Sequence, residues 1–205
     1  MSRTPADKFF AGPCDFVVGA ASIEALPKPG LPEVAFAGRS NVGKSSLLNT
    51  LTARGGLAHV SKTPGRTQQL NYFNLNQKMF LVDMPGYGYA AVGKKIVAGW
   101  NRLILDYLKG RASLRRVCVL IDSRHGLKDV DLEVMDMLNE AAVSFQIVLT
   151  KADEPKPDEL QTRIDEITAA LKKHPAAYPE VMSTSSRTGD GISELRSVLM
   201  EFAKK

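Results

Sequence analysis

The chain has 205 residues, 44% of them hydrophobic and 24% charged, with a formal net charge of +5. That length buries one sizeable core and is short for two, while the positive balance suits a polyanion such as RNA or an acidic lipid surface and says nothing about fold. Two cysteines, Cys14 and Cys118, exclude a disulfide framework, and neither a leader sequence nor an apolar run of roughly 18 residues is visible, so the expectation is a cytoplasmic chain without a membrane span.

In chain order, residues 1–31 carry Pro5, Pro13, Pro27 and Pro29 and read as an extended N-terminal arm, leaving one domain over 32–205. From Glu33 onward, short apolar runs alternate with stretches of helical period, the pattern of a parallel sheet covered by helices on both faces. The strand candidates are 34–37, 68–75, 79–82, 116–121, 145–149 and 181–183. The second and third are separated only by the residues around Asn76 and Gln77, so they form an antiparallel hairpin, since a parallel crossover needs about a dozen residues. Ile96, Val97, Trp100, Leu103, Ile104, Tyr107 and Leu108 share one helix face, Leu160, Ile164, Ile167 and Leu171 share another, and a last helix is expected over 192–202. The predicted fold class is α/β, a six-stranded and mainly parallel sheet with one antiparallel edge strand and helices on both faces. Cys118 falls inside an apolar strand, where a thiol packs as a small hydrophobe, and His59, His125 and His174 lack the spacing of a zinc site.

The segment Gly38-Arg39-Ser40-Asn41-Val42-Gly43-Lys44-Ser45 fits GxxxxGK[ST] and lies between a predicted strand and a predicted helix. Gly38 and Gly43 permit backbone angles and close approaches that a side chain obstructs, so successive N–H groups can face phosphate oxygens at a helix N-terminus. Lys44 adds positive charge at the outer phosphates, and the Ser45 hydroxyl is placed to ligate Mg²⁺. Asp83-Met84-Pro85-Gly86 follows the apolar run 79–82, as expected if Asp83 ends a buried strand facing that metal, directly or through water, with the Gly86 N–H near the terminal phosphate. The polar loop Ser61-Lys62-Thr63-Pro64-Gly65-Arg66-Thr67-Gln68 offers threonines that could reach the same metal.

A phosphate loop does not choose between purines, but Thr150-Lys151-Ala152-Asp153 directly follows a strand at the ligand-binding end of the sheet. A carboxylate at Asp153 accepts hydrogen bonds from guanine N1–H and the exocyclic amine, whereas adenine leaves it unpaired, a costly outcome for a buried charge. The Lys151 stem can lie along the base, and Thr184-Ser185-Ser186 can present a backbone N–H to guanine O6. The residues therefore point to GTP rather than ATP.

With these motifs in order, the chain resembles a Ras-like P-loop GTPase, and in particular the bacterial EngB (YihA/YsxC) family of ribosome-biogenesis GTP-binding proteins. The resemblance rests on residues 38–46, 63–68, 83–90 and 150–153, on Trp100 with Tyr107, Leu108 and Arg111, and on Ile121-Asp122-Ser123-Arg124-His125. It implies Ser45 and Thr67 as Mg²⁺ ligands beside Asp83, Ser46 in the phosphate site, and Gly65, Arg66, Thr67, Gln68 and Gln69 as a first switch. It implies Asp83 to Gly86 as a second switch, with Lys44, Thr67 and Gly86 at the reacting phosphate. It also implies a role in large ribosomal subunit assembly and a link to cell division and septation. Thr150 stands where most GTPases carry asparagine, and Tyr87 where Ras-like enzymes carry a water-orienting glutamine. Slow intrinsic hydrolysis follows, helped by a partner surface or by K⁺ held through Asn41.

The expected partners are GTP and GDP, the large ribosomal subunit or its precursor, and ribosomal RNA, with the chain itself a monomer. Lys94, Lys95, Arg102, Arg111, Arg115, Arg116, Lys172 and Lys173 are candidates for an RNA-facing surface. A different class of function fits the same motifs, a nucleotide-regulated docking module in which hydrolysis only resets the cycle. An ATP-driven kinase or transporter needs an adenine site and a substrate domain, and the sequence shows neither.

Overall fold

A computed structural model describes residues 4–58, 69–88 and 102–204. Helix α1 (Pro5–Phe10) leads into β1 (Cys14–Ala20), followed by β2 (Glu33–Gly38), α2 (Lys44–Leu51), β3 (Leu70–Leu75), β4 (Met79–Asp83) and α3 (Arg102–Gly110). The second half runs β5 (Leu114–Asp122), α4 (Asp129–Glu140), β6 (Phe145–Thr150), α5 (Pro157–Leu171), β7 (Met182–Ser183) and α6 (Ile192–Met200), and closes with a 3₁₀ turn at Glu201–Lys204.

The strands form one sheet in the order β1-β3-β4-β2-β5-β6-β7. The pairs from β4 to β7 are parallel, while β3 runs antiparallel to both β4 and β1. The mixed α/β architecture holds, with two corrections: among the described residues the sheet has seven strands rather than six, and the reversed strand β3 is not at the edge because β1 covers it. The extra strand comes from the stretch expected to be an extended arm. An edge strand buries little, and β1 leaves Asp15, Phe16 and Val17 exposed around a bulge, so it lacks the alternation that marks a half-buried strand.

Every residue of β2 and of β6 is buried, as parallel strands covered on both faces require. Alternation divides them between two cores. Ala35, Ala37, Val119 and Ile147 face helices α3, α4 and α5 through Ile104, Leu138 and Ile167. Val34, Phe36, Leu120 and Val148 face α1, α2 and α6 through Phe10, Leu48 and Leu195.

Two polar clusters fix the elements that carry the loops. Thr4 and Asp7 cap α1 reciprocally, and the Arg196 guanidinium of α6 donates to Asp7 Oδ1 at 2.9 Å and to the carbonyls of Thr50 (2.8 Å) and Leu51 (2.9 Å). One arginine thereby closes the C-terminal end of α2, where orphan carbonyls carry partial negative charge. Its hydrogen bond is the main cause that holds the Asp7 carboxyl well below the usual carboxylate range.

At the root of β2, the fully buried Glu33 carboxylate accepts from Arg111 Nε (2.8 Å), Ser113 Oγ (2.8 Å), Tyr72 Oη (3.0 Å) and Tyr107 Oη (3.1 Å). Arg111 also donates to Pro27 O at 2.7 Å, and its side chain is 8% exposed. Arg111 is therefore a core cation that neutralises Glu33, and it does not belong to an RNA-facing surface.

Candidate nucleotide site

The loop from β2 into α2 has the conformation its glycines allow. Asn41 (φ +64°) and Gly43 (φ +101°) are both left-handed, which turns consecutive N–H groups toward one concavity. A Cβ on Gly38 would lie 2.8 Å from Val42 Cγ1 and 3.1 Å from the Leu120 carbonyl oxygen, so close packing on β5 also requires glycine there. Helix α2 begins without a side-chain cap, leaving its first amides available to an anion. Ser45 is half-buried in its first turn and Ser46 is exposed.

Asp83 ends β4 beside this loop, and its Oδ1 pairs with Lys44 Nζ, both side chains being largely buried. Met84 is buried in the core and donates its N–H to Phe36 O at 3.0 Å. Gly86 lies on the phosphate loop: a Cβ there would meet Ser40 Oγ at 3.2 Å and Gly38 O at 3.5 Å. Gly65, Arg66, Thr67 and Gln68 lie outside the described residues, as do His59, Lys94, Lys95 and Trp100. Gln69 is placed just before β3, its side chain against Gly19 of β1.

The base-reading segment is bound to the phosphate loop by two side chains. Thr150 Oγ1 donates to Val42 O at 2.6 Å and lies 3.3 Å from Ile121 O, so this hydroxyl ties the end of β6 to the loop between β2 and α2. Lys151, itself left-handed (φ +55°), donates from Nζ to Asn41 O at 2.9 Å and to Asp122 Oδ2 at 2.8 Å. Burial pushes the Asp122 carboxyl up, but the hydrogen bonds from Arg124 and Lys151 outweigh it and hold it well below the ordinary range.

Asp153 follows, its side chain 8% exposed. It accepts from Arg187 Nε at 2.6 Å, and hydrogen bonds from Ser185 and Arg187 depress its carboxyl against the opposing effect of burial. It is thus an ionised acceptor at the mouth of the site. Of the three candidate amides, Thr184 N–H goes to Leu149 O (2.7 Å) and Ser185 N–H to Asp190 O (2.9 Å). Among the described residues only the Ser186 N–H of the three has no protein acceptor. Ala152 contributes through its backbone, donating to Thr184 O at 3.1 Å. A Cβ on Gly43 would approach Lys151 Cε to 3.7 Å, so the phosphate and base regions are contiguous.

Two side chains leave the site. Arg39 turns away to Gly126 O (3.2 Å) and Asp131, and Tyr87 is 1% exposed with its hydroxyl donating to Asp131 Oδ1 at 2.9 Å. Sequence reasoning missed the roles of Asp122, Asp131 and Arg187. Asp122 alone left a trace, as an acid ending an apolar strand beside the loops.

A family model described as a 50S ribosome-binding GTPase matches residues 33–151, more than half of the chain. A probable GTP-binding protein EngB of Rhodopseudomonas palustris is 60% identical over 197 residues, covering 95% of this chain and 91% of the relative. One of Cereibacter sphaeroides with the same description is 56% identical over 198 residues, covering 97% and 91%. Among solved structures, a probable GTP-binding protein EngB superposes with a TM-score of 0.65 at 23% identity, covering 84% of this chain and 98% of the other. Era, solved in complex with MgGDPNP and nucleotides 1506–1542 of 16S ribosomal RNA, gives 0.61 at 22% identity, covering 85% and 57%, a likeness of fold. Identity of 60% over 95% of its length, with the family model over residues 33–151, shows that the chain belongs to the EngB family of GTP-binding proteins and is a GTPase.

Proposed function

We propose that the chain cycles between GTP- and GDP-bound states with Mg²⁺, hydrolyses GTP slowly on its own, and serves assembly of the large ribosomal subunit in the cytoplasm as a monomer. The observation that carries the nucleotide assignment is the tether of Thr150 and Lys151 to the carbonyls of Val42 and Asn41, which makes phosphate grip and base reading one unit. In this reading Gly38 to Ser46 hold the phosphates, Asp153 and Ser186 take the guanine edge, and the GTPase unit is residues 32–205, to which the first 31 add α1 and β1.

The Ser45 hydroxyl and the Asp83 carboxylate are hard oxygen donors at the loop's rim, a set that suits Mg²⁺, with Thr67 the third ligand by family resemblance. Such an ion neutralises charge on the transferring phosphoryl group. The chain's own contribution is Lys44 and the loop amides as fixed positive charge, and Gly86 as an N–H donor to the terminal phosphate. Slow turnover follows from the burial of Tyr87 on Asp131, which removes it from any role in orienting water. Asn41 is exposed beside the phosphate loop, and K⁺ held there is the proposed stimulant.

For the partner, the support is the description of the matching family and the exposed Arg102, Arg115, Lys172 and Lys173. Arg116 contributes less, its guanidinium lying 4.2 Å from the Tyr178 ring centroid and 5.0 Å from that of Phe202. The link to cell division and septation belongs to the same proposal, as the cellular consequence of failed subunit assembly. The docking-module reading shares every site residue and differs only in whether turnover sets the output. The deciding experiment for the site is Asp153→Asn: its preference should move from guanine to xanthine nucleotides in competition with GDP, and an unchanged preference refutes the base site.

A further inference from the structure

The residue after Gly86 is built into the protein in a way that packing alone does not require. Tyr87 makes a parallel bridge with Arg39, its N–H donating to Gly38 O at 3.2 Å and its carbonyl accepting from Ser40 N–H at 3.3 Å. Its ring is buried and its hydroxyl reaches Asp131 Oδ1, on the first turn of α4. Asp131 is fully buried and otherwise committed: Oδ2 accepts from Lys128 N–H at 3.0 Å, and Arg39 Nε stands 3.4 Å from Oδ1 as an ion pair rather than a hydrogen bond. The Arg39 guanidinium is fixed in turn by Gly126 O. Just beyond, Gly88 turns at φ +80°. The phosphate loop, the onset of the second switch and the start of α4 thus meet on one buried carboxylate.

A phenylalanine would fill the same space, so the hydroxyl and its buried acceptor need another reason. Burial, reinforced by the Asp131 charge, raises the Tyr87 phenol well above its ordinary value, so it stays protonated and donates. What it fixes is the adjoining Gly86 peptide, which the close approach to Ser40 Oγ already confines against the phosphate loop. A donor held in place before the terminal phosphate arrives loses less conformational freedom on binding it.

We propose that Tyr87 is a positioning residue: its strut to Asp131 holds the Gly86 N–H ready for the terminal phosphate and so sets the discrimination between GTP and GDP. This rests on the assignment of Gly86 to that phosphate. GDP makes no such contact, so loss of the strut weakens binding of the triphosphate selectively.

The test uses the full chain and compares Tyr87→Phe, Asp131→Asn, the double variant and Gly86→Ala. GDP and a non-hydrolysable GTP analogue are titrated against each, with thermal melting as a check of folding. Tyr87→Phe should weaken the analogue about tenfold, the scale of one hydrogen bond to a buried charge, and leave GDP within about twofold. The double variant should be no worse than Asp131→Asn alone. Parallel losses for both nucleotides, or no loss for either, overturn the proposal. If Gly86→Ala leaves the ratio of the two affinities unchanged, the Gly86 assignment itself fails; if it shifts the ratio while Tyr87→Phe does not, only the strut fails. Should the variants not fold, hydrogen exchange on the wild-type chain with GDP decides: a protected Tyr87 amide, which donates to Gly38 O, supports a segment held before the terminal phosphate arrives, and one exchanging at the unprotected rate overturns the strut.

Discussion

Replacing Arg111 by methionine keeps most of the side-chain volume and leaves the Glu33 carboxylate, which has no exposure to solvent, without its cation. Breaking a buried pair from one side costs about 3–5 kcal/mol, because the surviving charge stays desolvated. Three hydroxyls, those of Tyr72, Tyr107 and Ser113, still donate to Glu33, which places the expected loss near the lower end, about 3 kcal/mol. Glu33→Gln keeps the shape but only one of the two acceptor oxygens and removes the charge facing Arg111, which still donates to Pro27 O, so the loss stays below that range, at about 2 kcal/mol. In the double variant neither charge is left alone, so its loss should fall short of the sum by about 1.5 kcal/mol or more. Urea unfolding followed by circular dichroism measures all four proteins, with an unchanged slope required for the comparison. Because Glu33 and Gly38 stand at opposite ends of β2, GDP affinity of the folded variants should not change. An Arg111→Met chain within about 0.5 kcal/mol of wild type, or strict additivity, would show that the cluster does not act as a paired charge.

Thr150→Val removes the hydroxyl on Val42 O without changing shape, and a buried carbonyl losing its donor costs about 1–3 kcal/mol. Melting should fall by roughly 2–10 °C and GDP binding should weaken with it, whereas Thr150→Ser keeps both; equal behaviour of the two variants in a melting series refutes the tether. Asp7, depressed chiefly by Arg196, contributes stability that is fully present above the ordinary carboxylate value of about 4 and is lost as pH falls through its lower folded value. The stability difference between wild type and Asp7→Asn should therefore be constant from about pH 5 to 7 and shrink in acid, as read by urea midpoints across pH.

Lys44, Asp83 and the run 150–153 were legible in the sequence because each occupies a spacing that the backbone itself demands: a loop opening a helix, or an acid or base ending a buried strand. What the chain could not show was pairing at a distance. Arg111 looked like a surface cation because its carboxylate lies 78 residues earlier, and Tyr87 looked like a poor glutamine because Asp131 lies 44 residues later on another element. Strand β1 escaped for a different reason, since period-two patterning records burial and an edge strand with a bulge has little of it. Thr150 is a further case of pairing at a distance, its hydroxyl bonding to the Val42 carbonyl 108 residues earlier.

Because β1 lies along β3, the outer backbone groups of that reversed strand are satisfied from within the chain. A shortened protein starting after Ala20 would present six residues of open ladder, Leu70 to Leu75, to any strand in solution. Self-association, rather than simple loss of stability, is the failure to expect from such a truncation, and tags are better placed ahead of α1 than in exchange for it.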